Sequence, residues 1–232
     1  MPTPTEKPNE DPPVETVRQR MIRQQLLPRG IRDPAVLAAM GRVPREEFIA
    51  NALAPRAYED GPLPTLAGQT ISQPYIVAAS AQAGELKPTD RVLEVGTGSG
   101  YSAAVLSACC REVYSVERNP VLATSARARL ERLGYRNCQV LCTDGSIGWP
   151  NQAPFAAIIV AAAGPRVPPA LLEQLAIGGR LIIPVGAREE GQTLYRVRRH
   201  DQGLFEYEPL LPVRFVQLVG EQAFVETDML PV

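Results

Sequence analysis

Residues 91–105 read RVLEVGTGSGYSAAV, and this stretch constrains the fold more than any other. "RVLEV" is an apolar run of strand length, Gly96, Gly98 and Gly100 make a tight turn, and "YSAAVLSACC" continues as a helix. The alternation then recurs. "EVYSVE" is a second strand, followed by a helix from Pro120 to about Leu133. "CQVLC" is a third strand and "FAAIIVAAA" a fourth; "PPALLEQL" is a helix and "GGRLIIPV" a fifth strand. Strands separated by helices predict a doubly wound, mostly parallel α/β sheet, because a crossover helix is what returns the chain to lay the next strand in the same direction. The tail loses its helices. "QTLYRVRRH", "LFEYEPL" and "VRFVQLV" are expected as antiparallel strands added to the sheet edge.

Upstream of Asp90 the pattern is helical. Val14–Leu27 carries apolar residues near helical spacing, "DPAVLAAM" starts a second helix with Asp33 as N-cap and Pro34 at its first position, and "PREEFI" a short third. The expected organisation is a disordered, proline-rich leader over 1–13, a helical lobe with an active-site loop over 14–89, and a nucleotide-binding domain over 90–232.

Composition narrows the chemistry. The 232 residues carry a net charge of −1, so no broad basic face for nucleic acid is expected. The lysines are Lys7, in a polar tail, and Lys87, beside Pro88, which disfavours a buried Schiff-base lysine. His200, the single histidine, falls where a strand runs into a turn and reads as solvated. The 4 cysteines form no CxxC pair and lack histidines to complete a metal site, so no metal is expected and the thiols are read as reduced and mostly buried, which suits the cytoplasm. The N-terminus lacks the apolar core of a signal peptide, and the longest apolar run, "AAIIVAAA", is too short to span a bilayer. No membrane partner is expected, and the chain is read as a monomer.

The glycine turn selects among nucleotides. A dinucleotide fingerprint places its third glycine or alanine where Tyr101 stands, and the Gly-Lys-Ser/Thr of a phosphate-binding loop is absent. What remains is acid-x-G-x-G-x-G with Glu94 as the acid. A carboxylate there would repel a phosphate and tolerate a cation, which favours the sulfonium of S-adenosylmethionine. Glu117 ends the second strand about 20 residues on, placed to accept ribose hydroxyls, and Asp144 in "CTDG" ends the third, placed to accept from an adenine amino group. With Thr97 and Ser99 between the glycines and Gly145 after the aspartate, these make up the expected cofactor set. Asp144→Ala is expected to weaken cofactor binding and leave the fold intact.

The stretch "LAGQTISQPYIVAAS" bunches Gln69, Thr70, Ser72 and Gln73 before Pro74. By spacing, Ser72 is the N-cap of a helix through "YIVAASAQAG". From about Val17 to Val219 the chain resembles the protein-L-isoaspartate O-methyltransferases, on "VPREEFI", "AYEDGPLP", "GQTISQPYIVA", "VLEVGTGSGYSAAVL", "VYSVER", "APFAAIIVAAA", "ALLEQLAIGGRLIIPVG" and "VRFVQLV". "GQTISQPY" is the specific element; the glycine turn is shared by methyltransferases of this fold.

The resemblance implies a Rossmann-like class I methyltransferase that methylates the α-carboxylate of L-isoaspartyl residues in damaged proteins and peptides, leaves S-adenosylhomocysteine, and starts repair through a succinimide. It implies Ser72 at the active site, Thr70 and Ile71 lining the pocket, and the strand around Val216 flanking the substrate backbone. Departures from the usual bacterial pattern include Ala156 and Ala161, read as removing polar groups near the end of the fourth strand, and Gln217 where proline is usual. Two alternatives stay open: a carboxyl methyltransferase acting on a dedicated peptide or other acceptor, and a cofactor-binding protein without turnover. An NAD-dependent oxidoreductase is disfavoured by Tyr101.

Overall fold

The computed structural model describes residues 16–201 and 203–225; the expected leader over 1–13 lies outside them. α1 (Val17–Met21) starts at a reciprocal cap: Thr16 Oγ1 accepts from the Gln19 amide, and Gln19 Oε1 accepts from the Thr16 amide. The helical path continues through a wider turn at Ile22–Leu26 and a tight one at Leu27–Arg29, and stops at Gly30, whose φ of 86° suits glycine. α2 (Pro34–Arg42) starts as expected, with Asp33 Oδ1 accepting from the Ala35 and Val36 amides. "PREEFI" forms a single tight turn, Arg45–Phe48. A two-rung hairpin pairs Leu63 with Ile71 and Pro64 with Thr70, and α3 (Pro74–Ala83) follows.

The sheet has seven strands: β1 (Arg91–Val95), β2 (Glu112–Glu117), β3 (Cys138–Cys142), β4 (Phe155–Val160), β5 (Leu175–Val185), β6 (Gln192–Arg199) and β7 (Phe205–Val213). Their order is β3-β2-β1-β4-β5-β6-β7. The first five run parallel, and β6 and β7 are antiparallel additions. Strand order reverses between β1 and β4, so the crevice of such a sheet opens above the carboxyl ends of these two strands. α4 (Tyr101–Ser107), α5 (Pro120–Arg132) and α6 (Pro169–Glu173) complete the layers.

Side chains alternate across the sheet. Val92, Val113, Ala157 and Ile182 face one way and share a single apolar cluster with Met21, Leu26, Met40, Phe48 and Val77, so the N-terminal helices and the sheet bury one another. Leu93, Val95, Tyr114, Ile158 and Leu181 face the other way, against Leu171 and Trp149. Cys109 and Cys110 are buried, Cys138 is partly buried, and Cys142 is exposed; all four thiols are free.

The tail differs from expectation in one element. "QTLYRVRRH" and "LFEYEPL" become β6 and β7, but "VRFVQLV" does not extend the edge. It turns back to the carboxyl end of β4 and forms a parallel bridge, Gln217 to Ala163. The Ala163 amide donates to the Val216 carbonyl at 2.8 Å and the Leu218 amide to the Ala163 carbonyl at 2.7 Å. Leu218 and Val219 are each 5% exposed, and Leu218 joins the apolar cluster on that side of the sheet, which draws the segment inward. Ala156 also moves: it is the second residue of β4, at the amino end, remote from the crevice.

Candidate active site

The glycine turn is built by three left-handed residues, Gly96 (φ 95°), Gly98 (φ 52°) and Gly100 (φ 90°). Each occupies backbone space that a side chain would strain. The turn is held from several sides. The Gly96 amide donates to the Val116 carbonyl at 2.9 Å. Glu117, at the end of β2, accepts from the Gly98 amide through Oε2 and from the Asn119 amide through Oε1, both at 2.9 Å. Arg129 of α5 donates through Nη1 to the Ser99 carbonyl at 2.8 Å. Tyr101 packs its buried ring under the Arg45 guanidinium, 4.9 Å away, and edge-on to Phe48.

Glu94 sits where the sequence places it but does not open onto the crevice. It is 0% exposed, on the β1 face that carries Val92, and its Oε2 accepts from Ser115 Oγ at 2.5 Å. Ser115 Oγ is itself 2.5 Å from Thr97 Oγ1. Burial with no cation beside it pushes the Glu94 carboxyl up to about 7, against the pull of the Ser115 and Ser102 hydroxyls and with a further push from Glu117. Glu94 is therefore not the fixed negative charge facing the ligand that its position in the sequence suggests: it is buried, and its carboxyl is held toward the neutral form.

Asp144 follows β3 and holds two segments together. Oδ1 accepts from the Ser146 amide and hydroxyl, both at 2.8 Å, and Oδ2 accepts from the Glu221 amide at 2.7 Å. Gly145 packs directly against β1, where a Cβ would lie 2.6 Å from Val95 Cγ1. A Cβ on Gly220 would lie 2.0 Å from Asp144 Oδ1. Glu117, Asp144 and the glycines thus meet at the carboxyl ends of β1, β2 and β3, and the 216–222 segment joins them through Asp144.

The polar loop arrives on the hairpin. Its tip, Leu66–Gly68, packs on α5, the helix that braces Ser99. Ala67 adopts a positive φ of 54°. Ile71 is buried, Thr70 is exposed and Ser72 is partly buried. Ser72 is not the helix cap. The N-cap is Gln73, and even its side chain turns away from the helix: Nε2 donates to Asp60 Oδ1 at 2.7 Å, and Asp60 is paired with Arg29. Proline at the first helical position already removes one of the amides that a helix start leaves unpaired. Among the described residues nothing hydrogen-bonds the Ser72 hydroxyl. Val216 is 46% exposed, with its carbonyl held by Ala163.

The residues present fit a nucleoside with a cationic centre. An added Cβ at Gly98 would meet nothing within 4 Å, so the backbone beside Glu117 is open to a ligand. Glu94 Oε1 is buried with no hydrogen-bond partner among the described residues. Sequence reasoning missed Ser115, Arg129, Ala163 and Gly220. Ser115 carried a signal: it is a hydroxyl in the middle of a strand, on the parity of Glu117.

A family model for protein-L-isoaspartate(D-aspartate) O-methyltransferase matches residues 16–223. The chain belongs to this family. A protein-L-isoaspartate O-methyltransferase of Protochlamydia amoebophila is 55% identical over 90% of this chain and 99% of its own. One from Pelobacter propionicus is 58% identical over 89% of this chain and 92% of its own. Among solved structures, a protein-L-isoaspartate O-methyltransferase superposes with a TM-score of 0.80 at 30% identity, over 89% of this chain and 67% of that one. A Plasmodium falciparum structure described by the same activity, in complex with S-adenosyl-L-homocysteine, gives 0.75 at 27% identity, over 88% and 99%. The family methylates isoaspartyl residues of proteins and uses S-adenosylmethionine to do so. Among the described residues no helix is long and apolar enough to cross a membrane.

Proposed function

We infer that this protein methylates the free α-carboxylate of L-isoaspartyl residues in damaged proteins and peptides, and that the residues gathered at the carboxyl ends of β1–β4 do the work. The observation that carries this reading is the "GQTISQPY" loop, held on the helix that braces the glycine turn, with the Ser72 hydroxyl unpartnered among the described residues. S-adenosylmethionine, when bound, supplies the methyl group on a sulfonium and leaves as S-adenosylhomocysteine.

The chain's part is binding and alignment. The Gly96–Gly100 backbone with Thr97 and Ser99 offers close approach; Glu117 accepts from ribose hydroxyls; Asp144, next to Gly145, accepts from the adenine amino group through the one Oδ2 lone pair its protein partners leave free. Glu94 lies under the turn as a buried acid that gains a counter-charge when a cation binds above it. The acceptor carboxylate is already anionic at pH 7, so one of its oxygens attacks the methyl carbon with no proton to remove. Ser72 donates a hydrogen bond that orients the other oxygen. Thr70 and Ile71 wall the pocket, and the backbone at Val216 flanks the acceptor chain. Holding the oxygen in line is the main source of acceleration.

We take residues 14–89 as the acceptor-handling lobe, 90–232 as the cofactor-binding part, and the protein as a cytoplasmic monomer without nucleic-acid or membrane partners. The near-neutral charge supports the lack of a nucleic-acid partner, and the free thiols suit a reducing compartment. The test is methyl transfer from labelled S-adenosylmethionine to two peptides that differ only in Asp against isoAsp. Base-labile label on the isoAsp peptide alone is expected; equal label on both, or none with cofactor bound, would overturn the reading.

A further inference from the structure

A groove of about 580 Å³ lies outside the machinery described above. It runs along α3 between the turn at 29–33 and the edge strand β7. Tyr75 and Gln82 line its α3 wall, Arg29 and Arg32 the opposite wall, and Leu210 and Leu211 the side formed by β7. Two features join it to the acceptor loop. The groove runs along α3, which starts two residues after Ser72, and Arg29 stacks on Tyr75 at 5.0 Å while it binds Asp60, the residue that holds Gln73.

The charges in the groove are not equivalent. Arg29 is neutralised by Asp60, and Arg196 by Glu85 and Glu208. Asp33 is engaged in capping α2. Arg32 is exposed; its guanidinium donates to the Leu27 and Ile31 carbonyls and has no carboxylate in ion-pair range among the described residues. Asp33 keeps its charge while capping, so Arg32 is singled out not by net charge but as the groove arginine whose guanidinium is left open to an incoming carboxylate, beside an apolar wall of partly buried leucines.

We propose that this groove is an extended subsite for the acceptor polypeptide, taking a segment with an apolar side chain on Leu210 and Leu211 and an acidic side chain on Arg32. The proposal rests on the isoaspartyl reading of the active site. Its register follows from geometry. The Arg32 amide is hydrogen-bonded to Gln82 Oε1, so Arg32 stands level with a residue ten positions after Ser72. That is about 15 Å along a helix and about four or five residues of extended chain.

The experiment compares three isoAsp peptides with one common core: a minimal peptide, one extended so that a Glu stands four or five residues from the isoAsp, and the same extension with Gln. Each is assayed with the wild type and with Arg32→Gln and Arg32→Glu. With the wild type, the Glu peptide is expected to show a KM about three- to fivefold below the Gln peptide at low salt, the range of a single exposed charge pair, with the gap closing as salt is raised. Arg32→Gln is expected to abolish the gap and Arg32→Glu to invert it, with the minimal peptide unchanged throughout. Equal KM values for the Glu and Gln peptides, or a gap that Arg32→Gln leaves intact, would overturn the subsite. If the minimal peptide itself is not methylated, it is the isoaspartyl reading that fails, and the subsite falls with it. Should Arg32→Glu not fold, Arg32→Gln and the salt series decide.

Discussion

Glu94 shows how one side chain can set stability against function. Its folded carboxyl titrates at about 7, against an ordinary value of 4.5. A raised acid pKa contributes stability in full below pH 4.5 and loses it as pH rises through 7, because above that pH the folded protein must hold an ion in an apolar place. The loss amounts to about 3 kcal/mol at 1.36 kcal/mol per unit. Glu94→Gln should therefore gain Tm over the wild type at pH 8 and little or none at pH 4, while cofactor affinity falls; thermal melts across that range and calorimetry check both halves. Ser72 is the opposite case. Removing a true N-cap costs about 1 kcal/mol, but this hydroxyl caps nothing. Ser72→Ala should unfold within about 0.5 kcal/mol of the wild type and still lose kcat, with cofactor affinity unchanged. A stability loss near the capping value would return Ser72 to the helix.

At the scale of elements, the parallel strands, α2 and α5 were legible because period and punctuation agree there: Asp33–Pro34 and Asn119–Pro120 each start a helix at the position they mark. The misreadings have common physical causes. Ser72 looked like a cap because serine before a proline suits one, but long-range bonds to Asp60 decided the local geometry. "VRFVQLV" has strand composition and no turn signal saying which partner it will choose; burial of Leu218 and Val219 and the acceptor Asp144 chose the far end of β4 over the open edge. The Asp144 contact is open to test. Gly220→Ala places a Cβ on Asp144 Oδ1 and should force the 216–222 segment outward, at a cost of about 1–3 kcal/mol. Faster amide exchange over those residues and a higher acceptor KM are the expected signs. Asp144→Ala removes the acceptor of the Ser146 and Glu221 amides and should lower stability by about 1–3 kcal/mol as well as cofactor affinity. Denaturant titration of Asp144→Ala beside Asp144→Asn, which keeps one acceptor oxygen, separates the two effects.

Across the whole molecule, the helical N-terminal residues and the sheet share one apolar cluster, and Arg180 fastens the sheet to the end of α3. It is 7% exposed, donates through Nε to the Gly84 carbonyl at 2.8 Å and lies 3.6 Å from Asp90. The protein should therefore unfold as one unit. Trp149, the single tryptophan, reports the opposite side of the sheet from the N-terminal helices. Its fluorescence and the far-ultraviolet helix signal should follow one denaturant transition; two separated midpoints would show that the lobe melts alone. The sheet class could be read from the chain because crossover helices leave so few topologies. The joining of Asp144 to the C-terminal segment could not, since it depends on residues 77 positions apart that carry no periodic signature. That junction has a kinetic meaning. The carboxylate assigned to the nucleoside also fixes the segment assigned to the acceptor, so any shift of Asp144 on loading one partner changes the affinity for the other, and by the same factor in both directions. Dead-end inhibitors should then show heterotropic linkage: a neutral nucleoside analogue would alter the dissociation constant of an unreactive acceptor peptide, and Gly220→Ala, by parting the segment from Asp144, would abolish that effect.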